Sequence, residues 1–142
     1  MELHHSSESI IAQLIVAHCL TISGNAERVR ALLDAGADIN SLDRHGQTAL
    51  MNSAHKGCLK LVHLLVERGA DLNHTAKHHL SALMLAVFGD HPEVVRILVD
   101  AGADIGQRGF GNKTALELAE EMRRARCVEI LQHRDNGQRN SG

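Results

Sequence analysis

A fixed spacing of 33 residues constrains this chain more than any other feature of its sequence. The tripeptide Gly-Ala-Asp occurs three times at that spacing, at residues 36–38, 69–71 and 102–104. A second tripeptide, Thr or Ser followed by Ala-Leu, keeps the same spacing at residues 48–50, 81–83 and 114–116. A repeat of this length indicates supersecondary units that stack, because one such unit cannot bury its apolar face alone.

Each unit predicts a pair of helices separated by a tight turn. In the second unit, Thr48 can cap a helix that runs to about Lys56, because its hydroxyl can accept a hydrogen bond from a free backbone N–H. Gly57 then makes the turn, and apolar residues at inward spacings predict a second helix over about 59–68. Gly69 is expected to end that helix in the left-handed conformation, which glycine adopts without steric strain.

The turn between the paired helices changes from unit to unit. Where the second unit has Gly57, the third has Asp90 and the fourth has Arg123. Only glycine is free of steric strain in the left-handed region. We therefore expect Asp90 to make a poorer turn and Arg123 to distort its turn. Pro92 fits the first turn of the following helix, where its missing N–H leaves no hydrogen bond unmade.

Three segments in register resemble the second helix and turn of an ankyrin repeat: VRALLDAGADIN at 29–40, LVHLLVERGADLN at 61–73 and VVRILVDAGADIG at 94–106. The resemblance covers roughly residues 8–133. It implies an all-α, ankyrin-repeat solenoid of stacked antiparallel helix pairs with protruding β-turn-like loops, in a single domain over residues 1–142. The repeats are expected at about 8–42, 43–75, 76–108 and 109–133, followed by a disordered polar tail at 134–142.

The first repeat predicts helices over about 8–22 and 26–35, with Gly24 and Asn25 in the turn between them. Its first helix carries more apolar residues than one inward face can bury: Ile10, Ile11, Leu14, Ile15, Val16 and Leu20. We expect an exposed patch, which is a common mark of an interface. Self-association through Ile11 and Ile15 is one outcome. Coverage by the N-terminal segment around Leu3 is the other.

Composition and charge exclude several classes of function. The net charge of −2 gives no electrostatic reason to expect nucleic acid as a partner. The longest apolar stretch, residues 10–22, is too short to span a bilayer, so membrane insertion is not expected. The first residues lack the basic region of a secretory signal. Cys19, Cys58 and Cys127 lack Cys-x-x-Cys spacing and are interpreted as reduced thiols of a cytoplasmic or nuclear protein.

Eleven histidines raise the question of a metal site. His74, His78 and His79 fall in one loop between repeats, and His45 precedes His78 by one period, which places the two on adjacent loops. Zinc needs three or four rigidly held ligand atoms, so exposed loop histidines are the favoured interpretation and metal binding is a remote alternative.

No arrangement of residues indicates catalysis. A thiol at Cys58 near His55 would need a lowered pKa and an enclosing pocket, which the shallow groove of a solenoid does not offer. No glycine-rich phosphate loop is present in the sequence. The sequence therefore predicts neither an enzyme nor a cofactor.

The family resemblance implies recognition of a protein partner on the concave face. The sequence predicts a small scaffold or adaptor. The alternative is a stand-alone inhibitor resembling the ankyrin-type inhibitors of cyclin-dependent kinases, on the ground of size and repeat number.

Superposing the repeats by their period leaves twelve residues outside the core on the loops and at the ends of the first helices. The predicted partner-binding residues are Arg44, His45, Gln47, His55, Lys56, Lys77, His78, Leu80, Phe88, Phe110, Lys113 and Met122. Phe88 and Phe110 would form the apolar centre, and their replacement by Ala is expected to leave the melting temperature nearly unchanged. The basic residues Arg44, Lys56, Lys77 and Lys113 would surround it, which predicts an acidic rim on the partner. Alternatively, Phe88 packs under its own loop and Phe110 fixes the fourth loop.

The resemblance also implies a modification. An asparagine that ends this type of turn can be hydroxylated in the family, and Asn40 and Asn73 occupy that position. The alternative is that both side chains hydrogen-bond the turn, as short polar side chains do.

Overall fold

The computed structural model describes residues 22–140, and the side-chain burial of residues 26–137. That part of the chain is all-helical and contains no strand. Its helices are α1 (Ile22–Asp34), α2 (Ala49–Lys56), α3 (Leu59–Glu67), α4 (Ala82–Phe88), α5 (Pro92–Asp100), α6 (Ala115–Glu121) and α7 (Ala125–Asn140). Two short 3-10 turns lie at Lys77–His79 and Phe110–Asn112. The expected helical solenoid is therefore confirmed.

The helices form two parallel rows. The first helices of successive repeats, α2, α4 and α6, pack in one row, and α1, α3, α5 and α7 pack in the other. Each first helix also packs on the second helix of its own repeat. The core between the rows consists of Leu, Val, Met and Ala, with Leu50, Leu83 and Leu98 almost completely buried. The small and medium-sized side chains of this core suit thin stacked layers, because they let the helices approach closely.

The first helices begin with the same cap in three repeats. The hydroxyls of Thr48, Ser81 and Thr114 each accept a hydrogen bond from a backbone N–H in the first turn. Thr114 also forms a capping box with Glu117. The cap predicted at Thr48 is confirmed, as are the position of Pro92 at the start of α5 and the left-handed conformation of Gly69.

The turns between the paired helices are the same in three repeats, whatever residue they contain. Gly57, Asp90 and Arg123 have φ angles of 78°, 58° and 59°. The backbone N–H that follows each donates to a carbonyl five residues earlier, at 3.0, 2.9 and 2.9 Å. The distortion predicted at Arg123 is therefore wrong. Helix packing on both sides fixes the turn, and the two non-glycine residues accept the left-handed strain instead.

Helix α7 is longer than the period predicts. Residues 134–140, expected above to be disordered, continue this helix. Asp135 stands where Gly69 and Gly102 end the second helices of earlier repeats, so α7 lacks the residue that favours a stop there. An ion pair between Arg134 and Asp100, at 2.7 Å, also joins α7 to α5.

The first repeat is described only in part. Helix α1 begins at Ile22, so Gly24 and Asn25 lie within it and not in the turn that the sequence predicted. The predicted helix over 8–22, its apolar patch and the proposed self-association through Ile11 and Ile15 lie outside the described residues. Within the described range, no helix combines the length and apolar character needed to cross a membrane.

The cysteines differ from the prediction. Cys58 is buried and disulfide-bonded, so the expectation of a reduced thiol is wrong for this residue. The cytoplasmic placement loses the support that it drew from reduced cysteines. Cys127 is a free, buried thiol. Burial and the charge of Asp90 raise its pKa to about 11, against the opposing effect of two arginines, so this thiol stays protonated at neutral pH.

Candidate functional site: the finger surface

Three loops, here called fingers, precede the first helices and share one backbone arrangement. The N–H groups of Asp43, Ala76 and Gly109 donate to the carbonyls four residues later, at 2.9, 3.0 and 2.9 Å. Each finger contains a left-handed residue at the same place in the repeat, and these residues are Gly46, His79 and Asn112. We call the three fingers and the C-terminal ends of α2, α4 and α6 the finger surface.

The first finger is held by a carboxylate. Asp43 Oδ1 accepts hydrogen bonds from the backbone N–H groups of His45 and Gln47, at 2.8 and 3.0 Å. Its Oδ2 accepts one from the Asn52 side chain at 3.1 Å. Burial works to raise the pKa of Asp43, but the hydrogen bonds outweigh it, and the pKa is lowered.

The second and third fingers have Ala76 and Gly109 in place of Asp43, and each contains two consecutive left-handed residues. His78 and His79 are both left-handed in the second finger, with φ of 63° and 58°, and Gly111 and Asn112 repeat this pair in the third. Gly109 is buried where the third finger crosses the second. A Cβ atom placed on it would lie 2.4 Å from Met84 Sδ and 2.6 Å from the His79 carbonyl oxygen. The close approach of these two fingers therefore requires glycine.

The close approach of the second and third fingers brings three rings together. The Phe110 ring lies between Phe88 and His78, with centroid separations of 6.2 and 6.0 Å and nearly perpendicular planes. This edge-to-face arrangement is favourable for aromatic pairs. Phe110 is nevertheless exposed to solvent over 49% of its surface, whereas Phe88 is partly buried and packs against the core. A cavity of about 530 Å³ beside Phe110 is lined by His78, His79, Arg108 and Asn112, among others.

The basic residues of the finger surface fall into two groups. In the fourth repeat, Lys113 pairs with Glu121, and Arg108 Nη1 lies 3.4 Å from Glu117. In the second and third repeats, Arg44, Lys56 and Lys77 are exposed and have no ion-pair partner within the described part of the chain. The rim is therefore positively charged on one side only, rather than all round as the sequence suggested.

None of the twelve predicted binding residues is fully buried. The exposed ones are Arg44, His45, His55, Lys56, Lys77, His78 and Phe110, and the half-buried ones are Gln47, Leu80, Phe88, Lys113 and Met122. The structure brings His78, Phe88 and Phe110 into one cluster. Phe88 and Leu80 also pack against the core, so they have a structural role in addition to any role in binding.

The histidines have separate roles. His74 Nε2 lies 3.3 Å from the Gly46 carbonyl oxygen, which joins the second finger to the first. Burial, followed by the charges of Lys56 and His91, lowers the pKa of His55. Within the described residues, no group of three or more His, Cys, Asp or Glu side chains is placed to hold a metal ion.

Residues missed by the sequence reasoning join successive repeats. His91 Nε2 donates to the His55 carbonyl at 3.0 Å, and Arg124 Nη2 donates to the Phe88 carbonyl at 3.1 Å. Both donors stand one period apart at the start of a second helix, and both acceptors stand one period apart near the end of a first helix. The 33-residue spacing between the two donors, and between the two acceptors, is the sequence signal that marks these two hydrogen bonds as equivalent.

Asn40 and Asn73, the residues proposed for hydroxylation, also join repeats. Their Oδ1 atoms accept hydrogen bonds from the backbone N–H groups of Asp71 and Asp104, at 2.9 and 2.8 Å. Each asparagine N–H in turn donates to the aspartate two residues earlier. Both residues are exposed. A structural role is thus evident, and hydroxylation stays a prediction.

Comparison with known families agrees with this architecture. A family model described as ankyrin repeats (3 copies) matches residues 7–76, and one described as ankyrin repeats (many copies) matches residues 64–119. No curated protein matches the chain. The two family matches overlap and together cover residues 7–119, so the chain belongs to the ankyrin repeat family.

Proposed function

We propose that the chain binds a protein partner on its concave face, at the finger surface, with Phe110 and Phe88 at the centre of the contact. Ankyrin repeats generally serve as protein–protein interaction modules and are typically not enzymes. The finer assignment, to this surface and these residues, rests on the geometry described above.

One observation carries the proposal. Phe110 is 49% exposed although it belongs to an aromatic cluster, in a sequence with only two Phe and neither Trp nor Tyr. Full burial of such a side chain contributes about 1.5–3 kcal/mol, so leaving about half of it in water forgoes roughly half of that free energy. Aromatic residues are enriched among those that dominate the energy of interfaces. A partner that covers Phe110 would recover this free energy.

The surroundings of Phe110 support the same role because they fix its position. The strained pair His78–His79, the close approach at Gly109 and the contact with Phe88 hold the ring between two fingers. A surface that is already ordered loses little conformational entropy when it binds. The proposed mechanism is therefore steric, and the role is that of a small scaffold or adaptor.

Capture experiments with matched variants test this proposal. The immobilised whole chain, Phe110→Ala and Leu59→Ala are compared by quantitative mass spectrometry of the proteins they retain from a cell lysate. Leu59 is the control because it is also apolar and 38% exposed, but lies on α3 away from the fingers. We expect at least one protein to be retained by the wild type and by Leu59→Ala and to be lost from Phe110→Ala.

Calorimetry with the purified partner completes the test. Phe110→Ala should weaken binding more than tenfold, which corresponds to about 1.4 kcal/mol. Retention of the same proteins by all three forms would contradict the proposal and move the interface elsewhere. A protein kinase as the captured partner would favour the inhibitor role over the adaptor role.

A further inference from the structure

The repeat places three equivalent side chains at the fingers. Arg44, Lys77 and Phe110 occupy the same position of successive fingers, 33 residues apart. All three are exposed. Neighbouring helix layers lie about 10 Å apart, so the three form a row about 20 Å long. The row is cationic at two positions and aromatic at the third.

The two cations of this row differ from the basic residues of the fourth repeat in their pairing. Arg44 and Lys77 pair with no carboxylate in the part of the chain that the structure describes. The carboxylates of the same loops accept hydrogen bonds from the backbone of their own turns. Asp43, Asp38 and Asp71 each accept hydrogen bonds from backbone N–H groups two residues further on.

The aromatic end of the row differs. Lys113 and Arg108 pair with Glu121 and Glu117, and Arg124 lies 3.8 Å from Asp90. The two cations that flank Phe110 on its finger, Arg108 and Lys113, are thus paired within the fourth repeat. A ligand on this row would meet an apolar site at one end and, along the rest, two exposed cations that have no ion pairs within the described residues.

We infer that the partner presents an extended segment with one apolar side chain and acidic residues to one side of it. This deepens the proposed function and rests on it. The apolar side chain packs on Phe110 and Phe88, and the acidic residues lie over Lys77 and Arg44. Charge complementarity of this kind fixes the register and orientation of a partner more than it adds affinity.

The spacing of the row sets the spacing of the motif. An extended chain in the polyproline II conformation advances about 3.1 Å per residue and has about three residues per turn. About 10 Å between fingers therefore corresponds to three residues, and residues three apart point to the same side. The first acidic residue is therefore expected about three positions from the apolar one, and the second about six positions from it. Both stand on the same side of the apolar residue because the basic groups that flank Phe110 on its own finger, Arg108 and Lys113, are paired with Glu117 and Glu121.

Peptide selection tests this inference without knowledge of the natural partner. A random library of displayed twelve-residue peptides is selected against the whole chain at low salt. Enriched peptides are then synthesised with a fluorescent label, and their affinities are measured by anisotropy. We expect enriched sequences to carry Asp or Glu about three and six positions from an aromatic or large aliphatic residue. Their affinity should fall at least fivefold in Lys77→Glu and also when the salt is raised to 0.5 M.

A charge-reversal control separates this site from general attraction. Arg96 is an exposed cation on α5, outside the finger surface, and Arg96→Glu should leave the affinities within twofold of the wild type. Equal losses in Lys77→Glu and Arg96→Glu would overturn the inference, because they would show attraction by net charge alone. Circular dichroism verifies that both variants are folded.

The outcomes also separate this inference from the proposed function. Enriched peptides without acidic residues that lose affinity in Phe110→Ala would overturn the acidic motif and leave the finger surface as the binding site. Acidic peptides that bind Phe110→Ala and Phe88→Ala as tightly as the wild type would contradict the proposed function. Failure to enrich any sequence counts against the motif, and the lysate comparison then decides the proposed function independently.

Discussion

The Oδ1 atom of Asn73 accepts a hydrogen bond of 2.8 Å from the backbone N–H of Asp104, which stands 31 residues further along the chain. Asn40 makes the same bond to Asp71 at 2.9 Å. Each bond joins the turn of one repeat to the turn of the next. These asparagines therefore fix the spacing between turns, in addition to the apolar packing of the helices.

Replacing Asn73 by Ala should lower the free energy of unfolding by about 1 kcal/mol, because the Asp104 N–H then has only water as a partner. Urea denaturation followed by circular dichroism measures the change. Gln132→Ala, at an exposed position of α7, serves as the control and should change stability by less than half as much. Equal stability of Asn73→Ala and the wild type would show that the bond contributes nothing in solution.

Hydroxylation of Asn40 and Asn73 has its own measurement. Intact mass spectrometry of the chain purified from eukaryotic cells should show added oxygen, and peptide fragmentation should place it on these two residues. Gly106 occupies the equivalent position of the next turn and offers no asparagine, so peptides from that turn are the internal control. An unmodified mass would leave both asparagines with their structural role alone.

Two glycines with similar backbone angles should respond differently to the same substitution. Gly57 and Gly69 have φ of 78° and 82°. A Cβ atom on Gly69 would meet nothing, whereas one on Gly57 would lie 2.5 Å from Nδ1 of His91. Gly69→Ala should cost about 1 kcal/mol from backbone strain. Gly57→Ala should cost clearly more, because the His91 ring must also move and loses its bond to His55. Thermal melts of the two variants measure the difference, and equal costs would contradict the steric argument.

Arg123→Gly should stabilise the chain, since Arg123 has φ of 59° in a turn that glycine occupies without strain. We expect a gain of about 1 kcal/mol, measured as a higher melting temperature. Glu120→Gly provides the contrast, because the same residue inside helix α6 should lower stability by about 1 kcal/mol. A loss in both variants would mean that strain at Arg123 is relieved in solution.

Stability should depend on the charge of Asp43 at acidic pH. The pKa of the folded state lies below the ordinary value of 3.8, since the hydrogen bonds outweigh burial. A lowered pKa contributes stability that is complete above the ordinary value and is lost as the pH falls through the folded value. Urea denaturation of wild type and Asp43→Asn should therefore differ by a constant amount from pH 7 to 5. The difference should shrink below about pH 4. A difference that is unchanged at pH 3 would contradict this role.

Replacing Phe88 and replacing Phe110 should affect the melting temperature differently, although both residues belong to the proposed contact. Phe88 packs against the core, so Phe88→Ala is expected to lower the melting temperature by several degrees. Phe110→Ala should change it little, because that ring is 49% exposed. The binding interpretation of the sequence predicted a nearly unchanged melting temperature for both variants, and its alternative gave both residues a structural role. Differential scanning calorimetry of both variants distinguishes these expectations, and a Phe88→Ala melting temperature equal to that of the wild type would contradict the role of Phe88 in the core.

The helices of the second and third repeats could be predicted closely from the sequence. Thr48, Gly57 and Pro92 act through local backbone chemistry, which depends little on the rest of the fold. The predicted end of α2 at about Lys56 agrees with the structure, because Thr48 caps the start of the helix and Gly57 makes the turn after it. Repetition strengthened these predictions, since residues such as the helix-capping Thr or Ser occur at the same position of more than one repeat.

Features that depend on neighbouring repeats could not be predicted in the same way. The turn at Arg123 follows from helices packed on both sides, which override the preference of a single residue. Phe88 and Phe110 meet because Gly109 lets two fingers approach, and no local pattern encodes that approach. The pairing of Lys113 with Glu121 likewise changed a predicted ring of positive charge into a one-sided patch.

Helix α7 continues to Asn140 through the position where earlier repeats turn, and this has a consequence for repeat grafting. Gly106 cannot offer the side-chain acceptor that Asn40 and Asn73 offer, and the turn that would need that acceptor is absent. Bond and turn are lost together, so the fourth repeat is internally consistent as an end layer. A fifth repeat fused after α7 would need both an asparagine at 106 and a glycine at 135 to dock in register.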